Sequence, residues 1–198
     1  MLNSQSIKIS TSSSELLKRA QVEAKDSGLD YQVIFTKWMT DHEKLLRHII
    51  NGFEAKPALQ DELFQDIALN IWRALPKFRQ DASVKTFVAR IAHNILATHV
   101  AKSVKSVKVA HDLSELSHEA EQDDSQVTPY QELNQQQRQQ RLSAAIRQLK
   151  LEQQQVITLA LEGMSYQEMA EVLDISTNLV GVRLQRAKAA LMTMLEAA

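Results

Sequence analysis

The chain has no cysteine, and only four glycines and three prolines among 198 residues. Without thiols it can form neither a disulfide nor a thiolate metal site, which suits a reducing compartment. So few glycines encode few turns of positive φ, and long helices joined by short connections are expected. No apolar run is long enough to span a membrane. The opening segment MLNSQSIKISTSSS lacks the apolar centre of a secretion signal. A cytoplasmic chain without membrane insertion is therefore expected. Residues 1–27 read as a disordered N-terminal tail.

An excess of either charge sign is missing too. The formal net charge is −1, an average that argues against a nucleic-acid partner. The distribution argues the other way. Residues 73–108 carry Arg73, Lys77, Arg79, Lys85, Arg90, Lys102, Lys105 and Lys108 against Asp81 alone. Residues 112–124 carry Asp112, Glu115, Glu119, Glu121, Asp123 and Asp124 with no lysine or arginine. Nucleic acid responds to the local field, and a basic block followed by an acidic one is invisible in the average.

What is present is helical periodicity. Tyr31, Ile34, Phe35, Trp38, Leu45, Leu46 and Ile49 mark one long amphipathic helix. Leu59, Leu63, Ile67, Ile71 and Trp72 mark a second, closed by Pro76. Val84, Phe87, Val88, Ile91, Ile95 and Leu96 mark a third, capped by Ser83. Three such helices can enclose a common core. Periodicity then weakens through the acidic run, Pro129 and the glutamine-rich NQQQRQQ. That stretch reads as a partly mobile linker whose glutamine-rich end can already belong to the next helix. The segmentation expected is a tail over 1–27, a helical domain over 28–105, a linker over 106–137 and a second helical domain over 138–198. The fold class is all-α, two small domains joined by a flexible linker.

The second domain ends in a helix-turn-helix pattern. Helices are expected over Leu142–Leu149 and Glu152–Glu162, with Gly163 as the terminator. Ser165 and Glu168 then form the capping box S-x-x-E, succeeded by an apolar stripe of Met169, Ala170 and Leu173. Asp174-Ile175-Ser176 makes a short turn: Asp tolerates the left-handed conformation, and Ser176 can cap the next helix. The last helix buries Val180, Leu184, Ala187 and Leu191 and leaves Asn178, Arg183, Arg186 and Lys188 to solvent. Such a pair is either an ordinary helical hairpin or a reader of the DNA major groove.

Enzymatic chemistry finds no support. His93 and His99 lie six residues apart on a helix, whereas a shared metal face needs three or four. There is no phosphate-binding glycine loop and no arguable nucleophile–histidine set. No catalytic residue, metal or cofactor is expected.

Two stretches of the first domain and most of the second resemble a known family. The stretch Glu62-Leu63-Phe64-Gln65-Asp66-Ile67-Ala68-Leu69-Asn70-Ile71-Trp72 is similar to the D-L-x-Q-x-x-F-x-x-x-W pattern of bacterial sigma-70 family sigma factors. Phe78 followed by Ser83-Val84-Lys85-Thr86-Phe87-Val88-Ala89-Arg90-Ile91-Ala92-His93-Asn94 resembles the family's F…S-x-x-T-W-L-x-x-I-A-x-N. Ala144 through Leu195 resembles the family's closing domain. The likeness covers about 30–105 and 138–196 and matches the small extracytoplasmic-function (ECF) group. It departs from the pattern at Ala68, Phe87, the segment His99-Val100-Ala101-Lys102, Lys150-Leu151 and Gly181.

The resemblance implies a factor that binds core RNA polymerase and directs promoter recognition and melting. Residues 28–105 would be region 2 and residues 138–198 region 4. Leu63, Gln65, Asp66, Asn70 and Trp72 would contact polymerase. Phe78, Arg79, Lys85, Arg90, His93, Asn94 and Lys102 would contact DNA at the minus-ten element. Phe78 can serve there as a stacking surface or belong to the core. Thr177, Asn178, Gly181, Arg183, Arg186 and Lys188 would serve the minus-thirty-five element, with Arg186 alternatively bracing the domain on Glu168 or Glu171. The linker is either a solvated spacer or an anionic mimic of nucleic acid in the polymerase channel. Partners implied are core RNA polymerase, promoter DNA and, in some members, an anti-sigma factor. Two other readings compete: a one-component helix-turn-helix regulator, and a divergent sigma-like interaction protein with weak promoter activity.

Overall fold

The structure is a computed structural model and describes residues 28–111 and 130–196. The expected tail over 1–27 and the whole acidic run of 112–124 lie outside the described residues. Helix α1 spans Gly28–Asn51, α2 Pro57–Ala74, a 3₁₀ turn Leu75–Lys77, and α3 Val84–His111. Helices α4 Tyr130–Arg147, α5 Leu151–Leu161, α6 Tyr166–Leu173 and α7 Thr177–Glu196 complete the order. No strand occurs among the described residues, as the all-α expectation required. Helix α3 runs on to His111 and α4 begins at Tyr130, so both helices reach into the segment expected as the linker.

The first three helices close around one core. From α1 come Ile34, Trp38, Leu46, Ile49 and Ile50; from α2 Leu63, Ile67 and Ile71; from α3 Val88, Ala89, Ala92 and Leu96. Burying an Ile or Leu of this kind contributes about 1.5–3 kcal/mol. The two alanines on α3 leave room for close approach of its neighbours. Trp38 seats Phe78 and Phe87 edge-on, with ring centroids 5.0 and 5.8 Å away. Both connections are held by local polar chemistry. The Glu54 carboxylate accepts from the Ala55 and Lys56 N–H groups at 2.8 and 2.9 Å. Pro57 then opens α2 where its missing N–H costs nothing. Ser83 Oγ accepts the Thr86 N–H at 3.0 Å and starts α3.

In the second domain, Ser165 Oγ accepts the Glu168 N–H at 3.2 Å and Glu168 Oε2 accepts the Ser165 N–H at 2.7 Å. The capping box read from the sequence is complete. Asp174 is left-handed at φ 54°, and Gly163 has φ 71°. Ser176 Oγ accepts the Leu179 N–H at 3.3 Å. Helix α7 buries Val180, Leu184, Ala187 and Leu191, the four residues expected. On α6 the buried pair is Met169 and Val172; Ala170 and Leu173 of the expected stripe are half-buried.

The two domains pack directly against each other through α1 and α3 of the first and α5 and α6 of the second. Ser165→Ala removes the α6 cap and is expected to cost about 1 kcal/mol. The check is the denaturant midpoint against the parent chain; no shift would show that the box does not hold α6.

Candidate functional site

Helix α2 turns Leu63, Ile67 and Ile71 inward at spacings of four, and this fixes what it can show outward. Its exposed side carries Gln65, Asp66, Leu69, Asn70 and Arg73. Trp72 is 40% exposed and meets Phe35 edge-on at 5.3 Å. Leu63 was expected to face a partner; it is core instead, because it belongs to the same apolar stripe as Ile67. Leu69, 45% exposed in the middle of a polar face, was missed. Its signal was an apolar residue off the buried stripe.

The seven residues assigned to the minus-ten element fall into three groups. Arg79, Asn94 and Lys102 are exposed. Phe78 and His93 are buried, which corrects their assignment as direct contacts. Phe78 packs 4.7 Å from Phe87 and cannot stack on an extruded base from there. His93 lies four residues after Ala89 and three before Leu96, on the apolar face of α3, with its ring 5.6 Å from Phe53. Neither of its nitrogens has a hydrogen-bond partner. The third group, Lys85 and Arg90, is engaged by the opposite domain. Lys85 Nζ donates to the Glu162 carbonyl at 2.8 Å. Arg90 donates from Nε and one Nη to the Glu171 carbonyl at 3.1 and 2.7 Å. Beside this clamp a cavity of about 370 Å³ is lined by Arg90, Asn94, Val172, Leu173 and Asp174.

On α7, an open groove of about 690 Å³ is lined by Tyr166, Thr177, Asn178, Gly181, Val182, Leu184, Gln185 and Lys188. The structure thus places Thr177, Asn178, Gly181 and Lys188 around one groove. Arg186 is exposed nearby, and no bond to Glu168 or Glu171 forms. Arg183 is corrected: its position next to the buried Leu184 turns it inward, 3.7 Å from Glu152 across to α5. Its Nε is buried without a partner. Gln185 and Val182 were missed; both lie on the exposed side of α7, one turn or less from Gly181.

Residues 38–105 match the sigma-70 region 2 family model, and residues 139–191 match the sigma-70 region 4 model. Together these cover more than half of the chain, in the two-region order of the ECF group. The chain belongs to the sigma-70 family. A sigma-70 protein of this kind is a transcription initiation factor and not an enzyme. No curated protein sequence matches it. Among solved structures it is similar to CnrH in complex with the cytosolic domain of CnrY, at 22% identity and a TM-score of 0.62. That likeness covers 92% of this chain and 96% of the other. It is also similar to the sigma factor RpoE in complex with the anti-sigma factor NepR from Bartonella quintana, at 18% identity and a TM-score of 0.62. Here the cover is 82% of this chain and 96% of the other. Among the described residues no helix is long and apolar enough to cross a membrane, and no cluster could hold a metal ion.

Two titrating groups bear on region 2. Burial lowers the His93 pKa to about 3. Burial would raise Glu54, but the Lys56 N–H, His99 and the Ala55 N–H outweigh it, and its carboxyl is held below the usual range. Both shifts have one sign: the unfolded chain binds the extra proton. Stability is therefore full above the unfolded pKa of His93 and falls as pH drops from about 6.5 toward 3, at up to about 1.4 kcal/mol per pH unit from His93. His93→Leu is expected to flatten denaturant-midpoint profiles over that window. An unchanged slope would mean that His93 is not buried neutral.

Proposed function

We propose that this sigma-70 family protein binds core RNA polymerase through the exposed side of α2 and directs promoter recognition and opening through α3 and α7. The observation that carries the reading is the presentation of Gln65, Asp66, Leu69 and Asn70 on one face of a helix whose opposite face is core. A polar face with an apolar residue at its centre and Trp72 at its edge has the composition of a protein-binding patch.

Opening DNA requires unpairing and unstacking bases, at a few kcal/mol for each extruded base. A protein without ATP hydrolysis can supply that only by binding the opened strand better than the duplex. Backbone-facing cations are needed, and Arg79, Lys85, Arg90 and Lys102 supply them. Duplex is read by α7. Asn178 and Gln185 have the two-pronged amide that pairs with adenine, and the methyl groups of Thr177 and Val182 fit the thymine methyl. Gly181 lets the helix backbone come close to the groove floor. Charges in region 4 nearly balance, so this domain binds DNA weakly alone, and tethering by polymerase raises its effective concentration. An anti-sigma protein is a further partner consistent with the neighbours' complexes. The one-component regulator is disfavoured by region 2 itself, since a sensor has no use for the α2 face. Run-off transcription with reconstituted polymerase tests initiation, and no transcript from any genomic template would favour the weakly active, sigma-like interaction protein.

Gln65→Ala combined with Asp66→Ala is expected to weaken core polymerase binding about tenfold, or about 1.4 kcal/mol, with an unchanged melting temperature. Equal affinity would remove the α2 face from the interface. Gln185→Ala is expected to cost about 1–3 kcal/mol at one A·T pair of the minus-thirty-five element and to relax selectivity there. Transcription from promoters substituted pair by pair reads this. A uniform loss at all positions would make Gln185 a general contact instead.

A further inference from the structure

We infer that Tyr166, Gly181 and Val182 form one apolar reading patch, and that this patch makes promoter selection depend on the 5-methyl group of thymine. The inference rests on the proposed function, in which α7 lies in the major groove. It adds Tyr166, from the preceding helix, as a residue that sets specificity.

Nothing in the fold requires glycine at 181. A glycine inside a helix destabilises it relative to alanine. Gly181 lies within α7 and is not among the residues of positive φ. Space is not limiting either. A Cβ at 181 would meet Tyr166 Cε2 at 3.5 Å, an ordinary van der Waals distance, with nothing nearer. What the missing side chain leaves open is the tyrosine ring. Tyr166 is the first residue of α6, is 50% exposed, and joins the α7 residues that line the groove. Val182 lines the same groove and is 43% exposed. Single exposed apolar residues are ordinary on a surface, whereas adjoining ones mark a contact.

The surroundings say what that contact is. Asn178 stands three residues before Gly181 and Gln185 four after it, so both amides share its helix face. The lining also contains Lys188 and no carboxylate. A polyanion fits such a groove at its edges, but a phosphate gains nothing from its apolar centre. Of the groups the four bases present in the major groove, the thymine methyl is the apolar one. An A·T pair satisfies both parts of the lining at once. Its adenine offers N6 and N7 to an amide, and its thymine places the methyl on the patch. Removing one methyl from water contributes about fourfold in affinity.

The test uses holoenzyme reconstituted from core polymerase and the full chain. Promoter duplexes are first selected by it from a random-sequence pool. They are then rebuilt with deoxyuridine in place of one thymidine at a time, which removes only the 5-methyl group. Binding is expected to fall about fourfold at one or two thymines of the minus-thirty-five element. This methyl dependence is expected to vanish in Tyr166→Ala and in Val182→Ser. It should also shrink in Gly181→Lys, whose aliphatic stem covers the ring even where its ammonium strengthens binding overall. The readout is thus the thymine-to-uracil ratio, not the affinity. Any effect of uracil on DNA stiffness persists in the variants, whereas a lost contact does not. Unchanged melting temperatures confirm that the variants fold. An element without thymine on either strand overturns the inference. So does a uracil effect that is absent in the parent or equal in parent and variants. In each of those cases α7 still reads the element if pair substitutions there lower transcription. Promoters indifferent to every substitution in the element would remove both this inference and the reading by α7.

Discussion

Carbonyl oxygens left over at helix ends organise this molecule. The seven α-helices among the described residues create many of them, and a buried one without a partner costs free energy comparable to a lost hydrogen bond. Those of Asn51, Gly52, Glu162 and Glu171 are satisfied by side chains from the other domain. The joint between the domains is the result. It is polar at its edges and apolar where Thr158 and Ile146 meet Gly52.

Region 2 shows how one helix serves two masters. The stripe of Leu63, Ile67 and Ile71 secures α2 to the core, and a helix has only one remaining direction in which to present Gln65, Asp66 and Asn70. Stability and the recognition proposed for α2 are separated by angle. On α3 they are less well separated, because Val88, Ala92 and Leu96 occupy one side while Arg90 and Asn94 sit on a side that region 4 partly covers.

Much of this was legible in the sequence where the signal was local. The capping box at Ser165 and Glu168, the left-handed Asp174, the stop at Gly163 and the buried face of α7 all depend on residues within one or two turns of each other. What was lost was lost for two reasons. Leu63 and His93 were assigned by likeness to a motif, although each lies at core spacing from residues already recognised as buried. Arg183 flanks a buried stripe, and a long flexible cation there can face either way until its neighbour Glu152 is known. The engagement of Lys85 and Arg90 was beyond reach, since it depends on carbonyls 77 and 81 residues away in sequence. The extension of α3 to His111 was not read from the sequence, although Val100, Val104 and Val107 continue helical spacing past Leu96.

The clamps formed by Lys85 and Arg90 end on neutral oxygens rather than on carboxylates. A short charge–dipole bond of this kind gains little from long-range attraction, although Lys85 also lies in the field of the Glu168 carboxylate. Competition by a polyanion is different, because phosphate brings full charge and sheds its own counterions on contact. Ionic strength would therefore act unequally on the two roles proposed for these side chains: concentrated salt penalises a contact with nucleic acid more than it loosens the joint between the domains.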